Sequence, residues 1–193
     1  MDGVEHVGGV DFDGERIWCA TGKALCAIDP ESGAVTQRLD ILADAGTAFD
    51  GTHLYQLVDS SIQKILPSSG EVIATLPSPC QDRASGMAWA EGCLWVGEYA
   101  AKKIHRVDAA TGEHLGTLES NRYVTGVTWA DGHLWHGATD GSKSALRRVA
   151  AETGEVEEQL EVPGFVSGLA AAPDGFFCGA GRQGAVRFVR KKP

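Results

Sequence analysis

Short apolar runs alternate with polar turns along the whole chain, and no stretch carries the 3.6-residue apolar period of an amphipathic helix. The segment from Met87 to Leu118 shows the pattern most clearly. Residues 87–89, 94–98, 104–108 and 114–118 predict four strands, with Glu91-Gly92 turning the first pair and Thr111-Gly112 the last pair. An acidic residue followed by glycine between two apolar runs is a strong hairpin signal, because glycine accepts positive φ without steric cost.

This unit recurs five times. A glycine opens each copy, at Gly9, Gly46, Gly86, Gly126 and Gly168, with gaps of 37, 40, 40 and 42 residues. An aromatic follows nine positions later, at Trp18, Tyr55, Trp95, Trp135 and Phe177. A turn glycine lies between the two, at Gly14, Gly51, Gly92, Gly132 and Gly175, always after an acidic residue. A second glycine turn closes the first four copies at Gly33, Gly70, Gly112 and Gly154. Four short strands in about 40 residues describe the blade of a β-propeller. The expected fold is therefore all-β, a single five-bladed β-propeller domain over residues 1–193, its recurrent aromatics packing between blades. After Gly168 only enough chain remains for three strands, so the last blade is expected to be three-stranded, or completed by a scrap around residues 4–6. The N-terminus can donate little to it, which argues against a neatly sealed ring. Its open edge leaves either a monomer or a homodimer paired through that edge.

Composition narrows the function classes. The chain has 193 residues, 43% of them hydrophobic, and a formal net charge of −9. Nucleic-acid and anionic-membrane surfaces draw their affinity from basic patches, and here the basic residues cluster only in the tail from Arg187 to Lys192. Neither partner is expected. No apolar run is long enough to span a membrane, and the start MDGVEHVGGVDFDG lacks the basic and apolar regions of a signal peptide. The five cysteines are odd in number and irregularly spaced, with no CxxC pair. They read as free thiols in a reducing, cytoplasmic compartment, and they give little support to a structural zinc site.

The repeat also sorts candidate site residues. In a propeller, the loops between blades and those after each second strand share one face, and that concave face is the default ligand site. Directly after the aromatic stand Cys19, Gln56, Val96, His136 and Cys178, on the opposite side of the strand from the aromatics. Gln56 and His136 are the polar exceptions. Glu98 is another, since its counterparts are Thr21, Val58, Ala138 and Ala180. With the loop residues they suggest a site at the channel mouth. Glu98 and His136 would be the acid–base pair, and His6, Gln56, Arg83, Tyr99 and Tyr123 the ligand-binding groups. A carboxylate in a dry channel can be tuned for proton transfer. His53 and His133 fall on the opposite face and are set aside as turn residues.

The segments LWVGEYAAKKIHRVDAATGEHLGTL, IWCATGKALCAIDPESGAV and LWHGATDGSKSALRRVAAETGEV resemble the propeller superfamily that contains the bacterial glutamine cyclotransferases, and more broadly the quinoprotein-like and NHL-type propellers. The resemblance covers nearly the whole chain. It implies the propeller fold and a cofactor-free small-molecule site of cyclotransferase-like acyltransferase chemistry. That family opens with Phe-Thr-Gln-Gly-Leu and places a Glu just after the second-strand aromatic. Here His6-Val7-Gly8-Gly9-Val10 and Cys19 stand at those places. Two other readings accompany this one. One is a metal-assisted lyase or hydrolase using His6, Glu98 and His136. The other is a non-catalytic interaction module, since propellers also serve as rigid platforms.

Overall fold

A computed structural model describes residues 4–191. Five antiparallel sheets stand around one axis, of four, four, four, four and three strands. Blade 1 comprises β1 (Val10–Phe12), β2 (Ile17–Ala20), β3 (Leu25–Ile28) and β4 (Val35–Leu39). Blade 2 comprises β5 (Thr47–Phe49), β6 (Leu54–Val58), β7 (Ser61–Ile65) and β8 (Val72–Pro77). Blade 3 follows a single 3₁₀ turn, Gln81–Arg83, with β9 (Ala84–Ala90), β10 (Cys93–Glu98), β11 (Lys103–Asp108) and β12 (His114–Glu119). Blade 4 comprises β13 (Tyr123–Ala130), β14 (His133–Thr139), β15 (Ser144–Val149) and β16 (Val156–Val162). Blade 5 holds only β17 (Leu169–Ala172), β18 (Gly175–Gly179) and β19 (Val186–Arg190). In every blade the first strand is innermost and the pairing runs outward in sequence order.

The repeated residues explain the geometry. The five opening glycines lie on the innermost strands or immediately before them and pack backbone to backbone. A Cβ on Gly86 would fall 2.5 Å from the Thr125 carbonyl oxygen, and one on Gly126 would fall 2.4 Å from the Leu169 nitrogen. The axis they line leaves no room for a water molecule at that level. The sheets bury their faces against one another in five interblade layers. Each recurrent aromatic packs against the following blade, as Trp135 does on Phe176 with ring centroids 4.8 Å apart. The acidic turn residue explains itself as well. Asp13 accepts a hydrogen bond from Trp18 Nε1 at 2.7 Å, and Asp50 accepts one from the Tyr55 hydroxyl at 3.2 Å.

Blade 5 departs from the repeat in two ways. Gly175 does not occupy the left-handed conformation of the other turn glycines. Glycine is required there because a Cβ would meet the Val189 carbonyl oxygen at 2.2 Å. Among its described residues, the N-terminal segment contributes one bridge and no strand: Val7 N–H donates to the Gly181 carbonyl at 3.0 Å. The ring nevertheless closes. Gly168 packs on Gly9 and Val10, the Ser167 hydroxyl donates to the Val7 carbonyl at 2.5 Å, and Phe12 packs on Phe177. Side-chain packing between blades 5 and 1 replaces strand exchange. All five cysteines are free and buried.

Candidate functional site

Glu98 ends β10, one strand out from the axis, and its side chain is only 6% exposed. A carboxylate so buried must have its oxygens satisfied. Arg83 Nη2, from the loop between blades 2 and 3, pairs with Oε1 at 3.2 Å, and His105 Nε2 on β11 lies 3.1 Å from Oε2. The ionised carboxylate is acceptor-only, so the His105 Nε2–H donates to it. His105 Nδ1 is then free to accept from the Thr117 hydroxyl at 3.1 Å, and Thr117 Oγ1 lies 3.0 Å from His114 Nε2. Thr117 and His114 are exposed on β12. The series His114, Thr117, His105, Glu98 thus joins the outer rim of blade 3 to a buried carboxylate by hydrogen bonds.

Beside this network the upper face carries a cleft of about 240 Å³ lined by Asp44, Ala45, Leu57, Asp59, Asp82 and Ala84. Ala84 is the cross-strand partner of Glu98, and Asp82 adjoins Arg83 in sequence. Three carboxylates around one cleft favour a cationic group in it. Over the boundary of blades 3 and 4, Tyr99 and Tyr123 stack with centroids 4.9 Å apart and planes inclined by 12°, and Lys102 Nζ lies 5.0 Å from the Tyr123 ring. Five residues of the upper face, Glu98, Arg83, Tyr99, Tyr123 and Lys102, thus lie on or between blades 3 and 4 and the loop leading into them.

The other residues singled out in the sequence lie elsewhere. Gln56 is fully buried and all its polar groups are engaged. Its amide donates to the Ala45 and Leu57 carbonyls, and its oxygen accepts from the Thr47 hydroxyl at 2.7 Å. His6 lies in the segment leading into blade 1, and its Nδ1 is buried with no partner among the described residues. His136, on β14, is separated from Glu98 by blade 3 itself. Val96, His105 and Thr117 form one cross-strand row and share Glu98's side, whereas His136 lines a cleft with Ile104 and Leu118. Ile104 and His105 are consecutive on one strand and so face opposite sides of the sheet. Among the described residues, no group of three His, Cys, Asp or Glu side chains is arranged to hold a metal ion.

No family model matches the chain, and no curated protein resembles it in sequence. Solved structures do resemble it. In fold, the chain is similar to a glutaminyl cyclase. The Myxococcus xanthus glutaminyl cyclase superposes with a TM-score of 0.79 at 17% identity, over 97% of this chain and 90% of that one. The Neurospora crassa Pan2 WD40 domain matches with a TM-score of 0.63 at 14% identity, over 90% and 56% of the two chains. Kuenenia stuttgartiensis hydrazine synthase matches with a TM-score of 0.57 at 17% identity, over 86% and 52%. At these identities the likeness is one of fold. The first match spans both chains nearly end to end; the other two cover little more than half of larger chains.

Sequence reading overlooked His105, Thr117, Lys102 and Arg147. The first, second and fourth stand in one cross-strand row with the column behind the aromatics: Val96 opposite His105, and His136 opposite Arg147. The equivalent third-strand positions are Cys26, Gln63 and Arg187. Because these positions are polar or sulfur-bearing in every blade, comparing third strands across the repeat singles out neither His105 nor Arg147.

Proposed function

We propose that this protein is a small-molecule-binding propeller that acts, like a glutaminyl cyclase, on an N-terminal glutaminyl group, with Glu98 as the proton-handling residue. One observation carries the reading: a buried carboxylate held by Arg83 and His105 beside a cleft whose other charges are acidic. The acidic cleft suits the α-ammonium of such a substrate. The ammonium gives up two protons on becoming the lactam N–H. The first goes to solvent as the amine forms, and the second passes to Glu98 as the amine nitrogen forms a bond to the γ-amide carbon. The carbon–nitrogen bond of the amide then breaks, and Glu98 returns its proton to the departing nitrogen, which leaves as ammonia. Ammonia takes up the first proton in solution, so the protons balance and no redox partner is needed.

The fold likeness to a glutaminyl cyclase supports this reading. Arg83 and His105 orient the carboxylate, and Thr117 and His114 give it a route for exchanging protons with solvent. Tyr99 and Tyr123 offer an aromatic shelf at the edge of the same face, where the rest of a peptide can stack. The free thiols fit a reducing cytoplasm.

Binding tests the reading directly. A glutaminyl dipeptide is expected to raise the melting temperature, since a ligand of the native state alone stabilises it. Its N-acetylated form, which lacks the ammonium, is expected to do nothing. Equal shifts from both forms, or none from either, contradict the proposal.

A further inference from the structure

The cleft that His136 lines is separate from the Glu98 network and has its own chemistry. It lies between blades 3 and 4, has a volume of about 190 Å³, and is walled by Ile104, Leu118, Val149 and Val156. At its inner end His136 and Arg147 stand directly opposite each other on β14 and β15, and only 1% and 6% of these residues is exposed. Cross-strand partners place their side chains side by side on one face.

Arg147 is a buried cation with no carboxylate in contact. Nε donates to the Gln159 side-chain oxygen at 2.8 Å, and Nη1 donates to the Asn121 side-chain oxygen at 2.7 Å. Both acceptors are neutral, and Nη2 makes no hydrogen bond to the described residues. Burial, and after it the charge of Arg122, push the Arg147 guanidinium below its ordinary value, against the weaker opposing pull of Glu161, which is hydrogen-bonded to Gln159 rather than to Arg147. Glu119, the carboxylate of the lining, is exposed at the rim opposite Lys103 on the neighbouring strand. With no carboxylate bonded to it, the buried guanidinium is left short of a direct counter-ion, which an anion entering the cleft can supply.

His136 adds a second requirement. Its Nδ1 lies 3.1 Å from the Gly137 carbonyl, an acceptor, so Nδ1 carries the proton and Nε2 is left as an acceptor. Nε2 has no partner among the described residues. Burial holds the imidazole pKa down at about 4, so the ring is neutral at ordinary pH. The cleft therefore offers guanidinium donors for an anion, one acceptor for a ligand hydroxyl, and apolar walls. An apolar cavity of roughly 150 Å³ accommodates benzene, so this one has room for a phenyl-sized body with a small polar head.

We infer that the cleft between blades 3 and 4 is a binding site for a small 2-hydroxycarboxylate with an apolar side chain, its carboxylate on Arg147 and its hydroxyl on His136. The site is independent of the chemistry proposed at Glu98. Its charge and geometry favour a carboxylate over a phosphate: of the guanidinium nitrogens only Nη2 is left without a partner among the described residues, too few donors for a phosphate, and most of the remaining wall is apolar.

Mandelate is a suitable probe, with phenylacetate lacking its hydroxyl, mandelamide lacking its charge, and inorganic phosphate lacking its apolar body. Isothermal titration is expected to rank mandelate first, phenylacetate about tenfold weaker, and the other two without measurable binding. Arg147→Met is expected to lower mandelate affinity at least about tenfold. Val156→Trp, at the exposed rim, fills the cleft without touching either polar group, and it is expected to abolish binding even if Arg147→Met fails to fold. Glu98→Gln is expected to leave mandelate binding unchanged. The inference is overturned if mandelate does not bind, if mandelamide or phosphate binds as tightly, or if Val156→Trp retains full affinity.

Discussion

Ile104 and His105, consecutive on β11, serve opposite sides of blade 3. His105 reaches Glu98 at 3.1 Å on the side of blade 2, and Ile104 walls the Arg147 cleft on the side of blade 4. One thin sheet thus carries two chemically different sites. Thr117 and Leu118 repeat the division on β12.

The route from Glu98 to solvent predicts a specific kinetic defect. Thr117→Val keeps the shape of the side chain and removes the hydroxyl that links His105 to His114. Turnover of a glutaminyl peptide is expected to fall about tenfold or more with KM unchanged, because the substrate contacts are intact and proton exchange is not. A rise in KM at constant kcat contradicts the relay.

Asp11 predicts an unusual pH dependence of stability. It lies on β1, and burial raises its carboxyl pKa to about 7, against the pull of the Phe12 and Phe49 backbone hydrogen bonds. Its folded pKa is therefore above its unfolded value, and between about pH 4 and pH 7 the folded state binds more protons than the unfolded chain. Its contribution to stability is greatest at the acid end of that window and is lost as the pH rises through 7. Asp11→Asn removes the titrating group. Urea unfolding at pH 5 and pH 8 is expected to show a larger loss on raising the pH in the natural protein than in the variant. Equal losses contradict the assignment.

His136 runs the other way. Its pKa is depressed to about 4 by burial, while the unfolded chain takes up a proton near pH 6.5. Its contribution is complete above that value and is lost as the pH falls toward 4. Imidazole NMR signals of His136 are expected to remain those of the neutral ring down to about pH 4. Titration near pH 6.5 contradicts the buried, neutral ring on which the acceptor role rests.

The axial glycines predict a sharp contrast between two substitutions. Gly86→Ala places a methyl 2.5 Å from the Thr125 carbonyl oxygen, in contact with backbone that cannot yield. Destabilisation of about 1–3 kcal/mol or more is expected. Gly116→Ala, on the outer strand β12, meets nothing within 4 Å and is expected to change stability by less than about 0.5 kcal/mol. Urea midpoints measure both, and similar values for the two contradict the role of the axial glycines.

These contrasts show which features a sequence makes legible. The five glycines and five aromatics recur because every blade solves the same packing problem, so the fold is readable by self-comparison. Glu98 is readable as an exception within the repeat. Its partner His105 is not, because the pairing depends on strand register across a turn. Gln56 stands out as polar, yet only the structure shows Thr47 and two backbone carbonyls absorbing every one of its hydrogen bonds. His136 and Glu98 look alike as exceptions, but each faces the blade before its own, so His136 in blade 4 and Glu98 in blade 3 fall on opposite sides of blade 3.

The most direct test of the central claim is pyroglutamyl formation with ammonia release from a glutaminyl peptide, measured by mass spectrometry for the natural protein and for Glu98→Gln. The natural protein is expected to convert the peptide well above the buffer rate, and the variant to lose about a hundredfold or more of that rate while remaining folded. No conversion by the natural protein, or undiminished conversion by Glu98→Gln, contradicts the assignment of Glu98.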